Sequence, residues 1–263
     1  MTTLNASEFI RDLQVDGRLT FTTEEALARL ERSAPAVRAQ LLRLKLKGDI
    51  VDPSRGFYVI VPPAYRRLGC IPPEQFVPHL MRYFGQPYYV GLLSAAAYHG
   101  AAHQAPMVFQ VIVEKPRRSL VCGGVKVDFI VRHDMAETRW VERNVPTGRL
   151  RISTPATTAC ELVGYPERCG YLDNVATVLS ELAEKISPDQ LAAEARRVPT
   201  AWVQRLGWLL QHLELNELTA VLKAVLASQQ TFPVPLAPWL PTDGAPRNKE
   251  WRIIENTTVE DDL

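Results

Sequence analysis

Four places in the chain group residue types that could do chemistry. In HGAAH, His99 and His103 stand four residues apart, a spacing that can place two imidazoles on one helix face for a metal. The residues between them lack the glutamate that serves as base in a zinc hydrolase, so the segment reads as the end of a buried helix and no metal is expected. In VFQVIVEK and VKVDFIVR, Glu114, Lys115 and Asp128 are the residue types of a metal-dependent nuclease. Such a site wants its lysine two residues after an acid. Lys115 follows Glu114 directly, so on a strand the two point to opposite faces. Asp128 is expected on the solvent side of its strand. Lys115, Arg117 and Arg118 form a basic loop tip, a candidate second nucleic-acid contact. The fourth place is SAPAVRAQLLRLKLKGDIVDPSRGFYVIV, residues 33–61.

That stretch carries the clearest chemistry. Arg29 to Arg55 holds seven basic and three acidic residues, a local charge of +4 in a chain whose formal net charge is +1. Any nucleic-acid surface must therefore come from local placement of charge. Set at about 100° per residue, Val37, Leu41 and Leu44 share a face that packs inward. Ala36, Gln40, Arg43 and Lys47 are read as the opposite, outward face. A small residue permits close approach, Gln can pair with adenine, and Arg with guanine. Ser33 at the helix N-terminus could donate to a phosphate. Arg38 and Lys45 add charge, and Arg55 in the following turn could reach a phosphate or a minor groove.

The elements that position these residues can be read locally. Asn5 with Glu8 three residues on is a capping-box pattern for a helix over 5–14. Thr22 or Thr23 caps a second helix, and Ser33 a third, with Pro35 in its first turn. Gly48 stops it. Strands near 49–52 and 57–61 are joined by DPSRG. Three helices and a hairpin, with a tight turn between the second and third, are the pattern of a winged helix-turn-helix. Pro62-Pro63 and Pro72-Pro73 bracket a linker. Beyond it, EQFVPHLMRYFG and YYVGLLSAAAYHGAA read as helices. Strands follow at 108–114, 125–132 and 149–153, and helices at 155–164, 171–186, 187–198, 200–213 and 216–228. The stripe Leu206, Leu209, Leu210 and Leu213, with Trp202 nearby, reads as core. Residues 231–246 read as extended chain, pinned by Trp239 and Trp251, before a short strand WRIIEN and a frayed acidic end. The expected class is α+β: a winged helix-turn-helix over 1–67, then a mixed α/β domain over 68–263 that ends in a helical group.

A hydrophobic share of 46% and a charged share of 22% suit a globular protein. No apolar run approaches the ~20 residues of a membrane span. The opening MTTLNASEFIRDLQ does not read as a signal peptide. Cys70, Cys122, Cys160 and Cys169 form no CxxC pair and are expected as buried thiols in the cytoplasm. There is no Gly-rich phosphate loop and no Ser or Cys nucleophile motif, so no catalytic residue and no cofactor are expected. The alternatives to a non-enzymatic regulator are a metal-dependent nuclease built on Glu114 and Asp128, and a transcription factor that senses a small ligand.

The short winged helix, YYVGLLSAAAYHG, the run RISTPATTACELVGYPERCGYLDNVATVLSEL and the helix RLGWLLQHLEL together resemble the AbiEi family of bacterial antitoxins, from type IV toxin–antitoxin and phage abortive-infection systems. The resemblance spans roughly residues 5–256. It implies an N-terminal domain that binds inverted repeats in its own promoter and represses the operon, and a C-terminal domain needed for antitoxicity. It implies a neighbouring nucleotidyltransferase-like toxin of the AbiEii type, counteracted without a stable complex. DNA binding would fall on Arg38, Arg43, Lys45, Lys47 and Arg55. The protein is expected as a monomer in solution, with two copies on double-stranded DNA.

Overall fold

The structure is a computed structural model that describes residues 5–101 and 106–260. It divides into two compact units. The first holds the chain up to Tyr89, Met107–His133 and Glu142–Arg151; the second holds the rest.

The first unit opens with α1 (Ala6–Val15), β1 (Thr20–Thr22), α2 (Thr23–Leu30), α3 (Ala34–Leu46), β2 (Ile50–Ser54) and β3 (Phe57–Ile60). Two helix starts are set by capping boxes. Asn5 accepts from the Ser7 and Glu8 N–H groups while Glu8 accepts from the Asn5 N–H. Thr22 and Glu25 repeat the device on α2. Each box satisfies N–H groups that a helix start leaves without partners. Phe9, Ile10, Leu13, Phe21, Leu30, Val37, Leu41, Leu44, Ile50 and Ile60 form one buried cluster beneath these elements. Phe9 meets Phe21 edge-on at 5.2 Å between centroids. The strands form an antiparallel sheet in the order β1-β3-β2.

α4 (Val77–Tyr83), β4 (Tyr88–Val90), β5 (Phe109–Val113), β6 (Leu120–Cys122), β7 (Val125–Val131), β8 (Trp140–Val145) and β9 (Gly148–Ser153) follow. Their sheet has the order β6-β7-β5-β4-β9-β8. Three sequence expectations need correction here. YYV is a strand, not the start of a helix: aromatic and β-branched residues favour extended chain, and Gly91 continues it at φ −127° and ψ −174°. Leu120–Cys122, expected as loop, pairs antiparallel with β7 through the Gly123-Gly124 turn. β8 was not expected at all: none of its residues is buried, so it has no alternating apolar pattern to read.

The second unit is mainly helical, with α5 (Leu92–Tyr98), α6 (Pro155–Gly164), α7 (Tyr171–Leu182), α8 (Pro188–Ala195), α9 (Thr200–His212) and α10 (Asn216–Leu226). A small sheet of β10 (Val234–Pro235), β11 (Arg247–Asn248) and β12 (Ile253–Ile254) takes the order β10-β12-β11. Leu206, Leu209 and Leu210 are fully buried, as expected of core. Trp251 pins the late chain. A Cβ on Gly207 would lie 2.0 Å from its ring, so only glycine admits this contact. Gln204 Nε2 donates to the Phe232 and Trp251 carbonyls at 2.9 Å each. Trp239 packs on Tyr171 at 5.2 Å. Of the acidic end, residues 261–263 lie outside the described residues; before them Val259 is buried and the Glu260 N–H donates to Asp173. All four cysteines are buried. Among the described residues, no helix is long and apolar enough to cross a membrane.

Candidate nucleic-acid interface

α3 buries Val37, Leu41 and Leu44, as its period requires. The outward face differs from expectation. At about 100° per residue, the point opposite that core stripe falls on Ala39, Leu42 and Leu46. Leu42 is 56% exposed and Leu46 80% exposed. Ala36, Gln40, Arg43 and Lys47 instead form one flank, and Arg38 and Lys45 the other. The flank position explains Gln40, which is half-buried and accepts the Ala6 N–H at 2.9 Å. Gln40 is thus a tie to α1 rather than an outward base-reading group. Ser33 sits at the N-cap and is exposed, but its side chain makes no cap bond.

The hairpin turn is tighter than DPSRG suggested. β2 runs to Ser54, leaving Arg55-Gly56 as the turn, with Gly56 at φ +82°. Tyr83 of α4 holds this tip: its hydroxyl donates to the Arg55 carbonyl at 3.0 Å, and its ring lies 5.5 Å from that of Phe57. The acids nearby are engaged. Lys45 pairs with Asp52 at 2.5 Å. Arg66 pairs with Asp49 and donates to the Lys47 carbonyl at 2.8 Å. These contacts fasten the end of α3 to the hairpin. Arg38, Arg43, Lys47 and Arg55 are exposed and form no ion pair among the described residues. Lys45, by contrast, is already neutralised.

The loop Lys115, Arg117, Arg118 does not act as one tip. Arg117 turns inward, its Nε donating to Gln86 Oε1 at 2.7 Å and its guanidinium lying 3.5 Å from the Phe84 ring centroid. The Lys115 carbonyl accepts from Gln86 at 3.0 Å. Lys115 and Arg118 remain exposed.

Strand register separates the nuclease candidates. β5 and β7 run parallel, with Gln110 opposite Asp128 and Val113 opposite Val131. Glu114 therefore lies four residues beyond the level of Asp128, about 13 Å along the sheet at ~3.3 Å per residue. The two carboxylates cannot share a metal. Asp128, expected on the solvent side, is half-buried, and its Oδ1 is buried without a hydrogen-bond partner among the described residues. No group of three metal-ligating side chains occurs among the described residues. His99 is buried, its Nε2 bonding to the Ser153 carbonyl at 2.8 Å, and Lys185 donates to the His99 carbonyl. His103 lies outside the described residues.

One feature was not legible as a site in the sequence. Around STPATT in the second unit, Ser153 and Thr158 hydroxyls meet at 2.7 Å, and Thr154 and Thr157 hydroxyls at 2.9 Å. Thr157 also donates to the Arg139 carbonyl at 3.2 Å. This satisfied polar network anchors the start of α6, where Thr154 is the N-cap. The run of Thr before an apolar helix was its one signal, and that reads equally as a plain cap.

Residues 89–212 match the sequence model of the AbiEi antitoxin C-terminal domain. Among solved structures, the chain is similar to the RV2827C protein from Mycobacterium tuberculosis. The two share 18% identity with a TM-score of 0.65, over 94% of this chain and 90% of that one. At that identity the likeness speaks for the fold. A search of curated proteins finds no match.

Proposed function

From the match of residues 89–212 to the AbiEi antitoxin C-terminal domain model, we propose an antitoxin of a type IV toxin–antitoxin system that also represses its own operon. The family match carries the antitoxin role, and AbiEi antitoxins are not an enzyme family. On this reading residues 68–263 provide antitoxicity. The partner in function is a nucleotidyltransferase-like toxin, opposed without a stable complex.

Residues 1–67 are read as a winged helix-turn-helix, with α3 as the recognition helix and the β2–β3 hairpin as the wing. Support comes from charge and shape together. α3 exposes Ala39, Leu42 and Leu46 between two basic flanks. Such a strip can lie against thymine methyls while Arg43 reaches a guanine and Arg38, Lys47 and Arg55 take phosphates. Ser33 adds a hydroxyl at the helix start. Lys45 and Gln40 serve the architecture first, and any DNA contact by Gln40 would use its amide N–H₂ alone. Two copies on inverted repeats would match a palindromic operator. The reading keeps the protein in the cytoplasm, with Lys115 and Arg118 as a secondary phosphate contact.

A gel-shift titration on DNA from upstream of the gene, at two salt concentrations, tests the repressor role. Wild type should bind specifically and with steep salt dependence. Arg43→Ala and Lys47→Ala should each weaken binding, and each lost phosphate contact should flatten the log–log salt slope by about 0.9. Binding no better than to random DNA would remove the repressor role.

A further inference from the structure

The first unit contains a cleft of about 550 Å³ that lies outside α3 and the β2–β3 turn. Arg82 enters it from α4, and Arg149 and Arg151 enter from β9. Two residues apart on one strand, Arg149 and Arg151 share a sheet face. β4 and β8 flank β9 and contribute Tyr88 and Glu142. Glu142 is the one carboxylate among the lining residues, and it holds Arg149 at 2.9 Å. Pro78 and Pro87 give an apolar wall, with the buried Met81 behind it.

Arg82, Arg149 and Arg151 place three guanidinium groups around one small cleft whose lining holds a single carboxylate, a local charge balance that favours an anion. Guanidinium forks match phosphate oxygens two at a time. The volume falls in the ~300–1,000 Å³ range of small-ligand sites, and the proline wall can carry a flat ring. Burial raises the Tyr88 phenol to about 12, so it remains a neutral hydroxyl at the cleft edge.

We propose that this cleft binds a nucleoside phosphate, its phosphates spanning Arg82, Arg149 and Arg151 and its base resting on Pro78 and Pro87. Glu142 then acts as a competing internal anion that an arriving phosphate displaces from Arg149. None of the cleft residues belongs to α3 or the β2–β3 turn, so occupancy and operator binding can be measured separately.

The test is isothermal titration of the full chain at low salt with ATP, CTP, inorganic phosphate and a short DNA single strand. The nucleoside triphosphates should bind. Arg82→Gln and Arg151→Gln should each weaken them at least tenfold, while Arg43→Ala and Lys47→Ala leave them unchanged. Glu142→Gln should tighten binding several-fold, a gain that a misfolded variant cannot mimic. No heat with any nucleotide, unchanged affinity in the Arg82→Gln/Arg151→Gln double variant, or weakening by Glu142→Gln would each overturn the proposal. Inorganic phosphate binding as tightly as ATP would remove the base-binding part. Binding of the DNA strand without binding of ATP or CTP would make the cleft a nucleic-acid surface instead.

Discussion

Gln40 on α3 accepts the backbone N–H of Ala6 at 2.9 Å, joining two helices 34 residues apart in sequence. Ala6 opens α1, and its N–H is one that a helix start leaves without an internal partner. The Asn5 side chain takes the next two, at Ser7 and Glu8. Gln40→Ala should therefore cost about 1–2 kcal/mol of stability by orphaning a part-buried donor. Urea unfolding would measure it. An equal loss of operator affinity in Gln40→Ala and Gln40→Glu, with no change in stability, would instead assign Gln40 to base reading.

Gly56 shows how the hairpin tip is held. Its φ is +82°, and an added Cβ would lie 2.7 Å from the Tyr83 hydroxyl. Gly56→Ala should destabilise by about 1–3 kcal/mol through backbone strain and the clash. Combining it with Tyr83→Phe should recover part of that loss, because the clashing oxygen is gone. A thermodynamic cycle on the two changes would read the coupling.

Trp251 and Gly207 make a stricter pair. Gly207→Ala would drive a methyl to 2.0 Å from the indole, and Trp251 also donates from Nε1 to Gln211 at 2.5 Å. Overpacking at such a contact costs roughly 1–3 kcal/mol or more. The melting temperature of Gly207→Ala should fall, and Gly207→Ala/Trp251→Leu should melt no lower than Trp251→Leu alone.

Burial lowers the His79 pKa below its ordinary 6.5, the Thr147 carbonyl opposing and Arg82 and Arg18 assisting. A folded pKa below the unfolded one means the unfolded chain binds more protons, so stability falls as pH drops below about 6.5. His79→Asn, which keeps a donor toward Thr147, should lose less stability than wild type between pH 6.5 and 5. Parallel denaturation curves at the two pH values check it.

The four thiols are buried. A thiol-reactive dye should label none rapidly in the folded protein and all four in denaturant. The Cys70 thiol is raised by its hydrogen bond with Cys122 and by burial, which keeps it protonated and slow to react. Rapid labelling of one thiol in the native state would show that its cover opens.

By itself the sequence determined whatever depends on near neighbours. The boxes of Asn5 with Glu8 and Thr22 with Glu25 close within one turn, so they are written in four consecutive residues. The inward stripe Val37, Leu41 and Leu44 follows from helical period, and the α6, α9 and α10 helices were legible the same way. The soft motifs of residues 88–100, 152–182 and 205–215, with the short winged helix, carried the family resemblance. Tertiary structure decided what depends on residues far apart in the chain. Gln40 turns to α1 and Arg117 turns to Phe84 because partners 34 and 33 residues away supply the bonds. β8 has no apolar face, so only its place at the sheet edge makes it a strand. Register alone holds Glu114 away from Asp128, and strand composition carries no register. The arginine cleft joins Arg82 to Arg149 and Arg151 across more than sixty residues. Local periodicity acts over a turn or a pleat. Which distant side chains meet is set only when the strands pair and the helices pack.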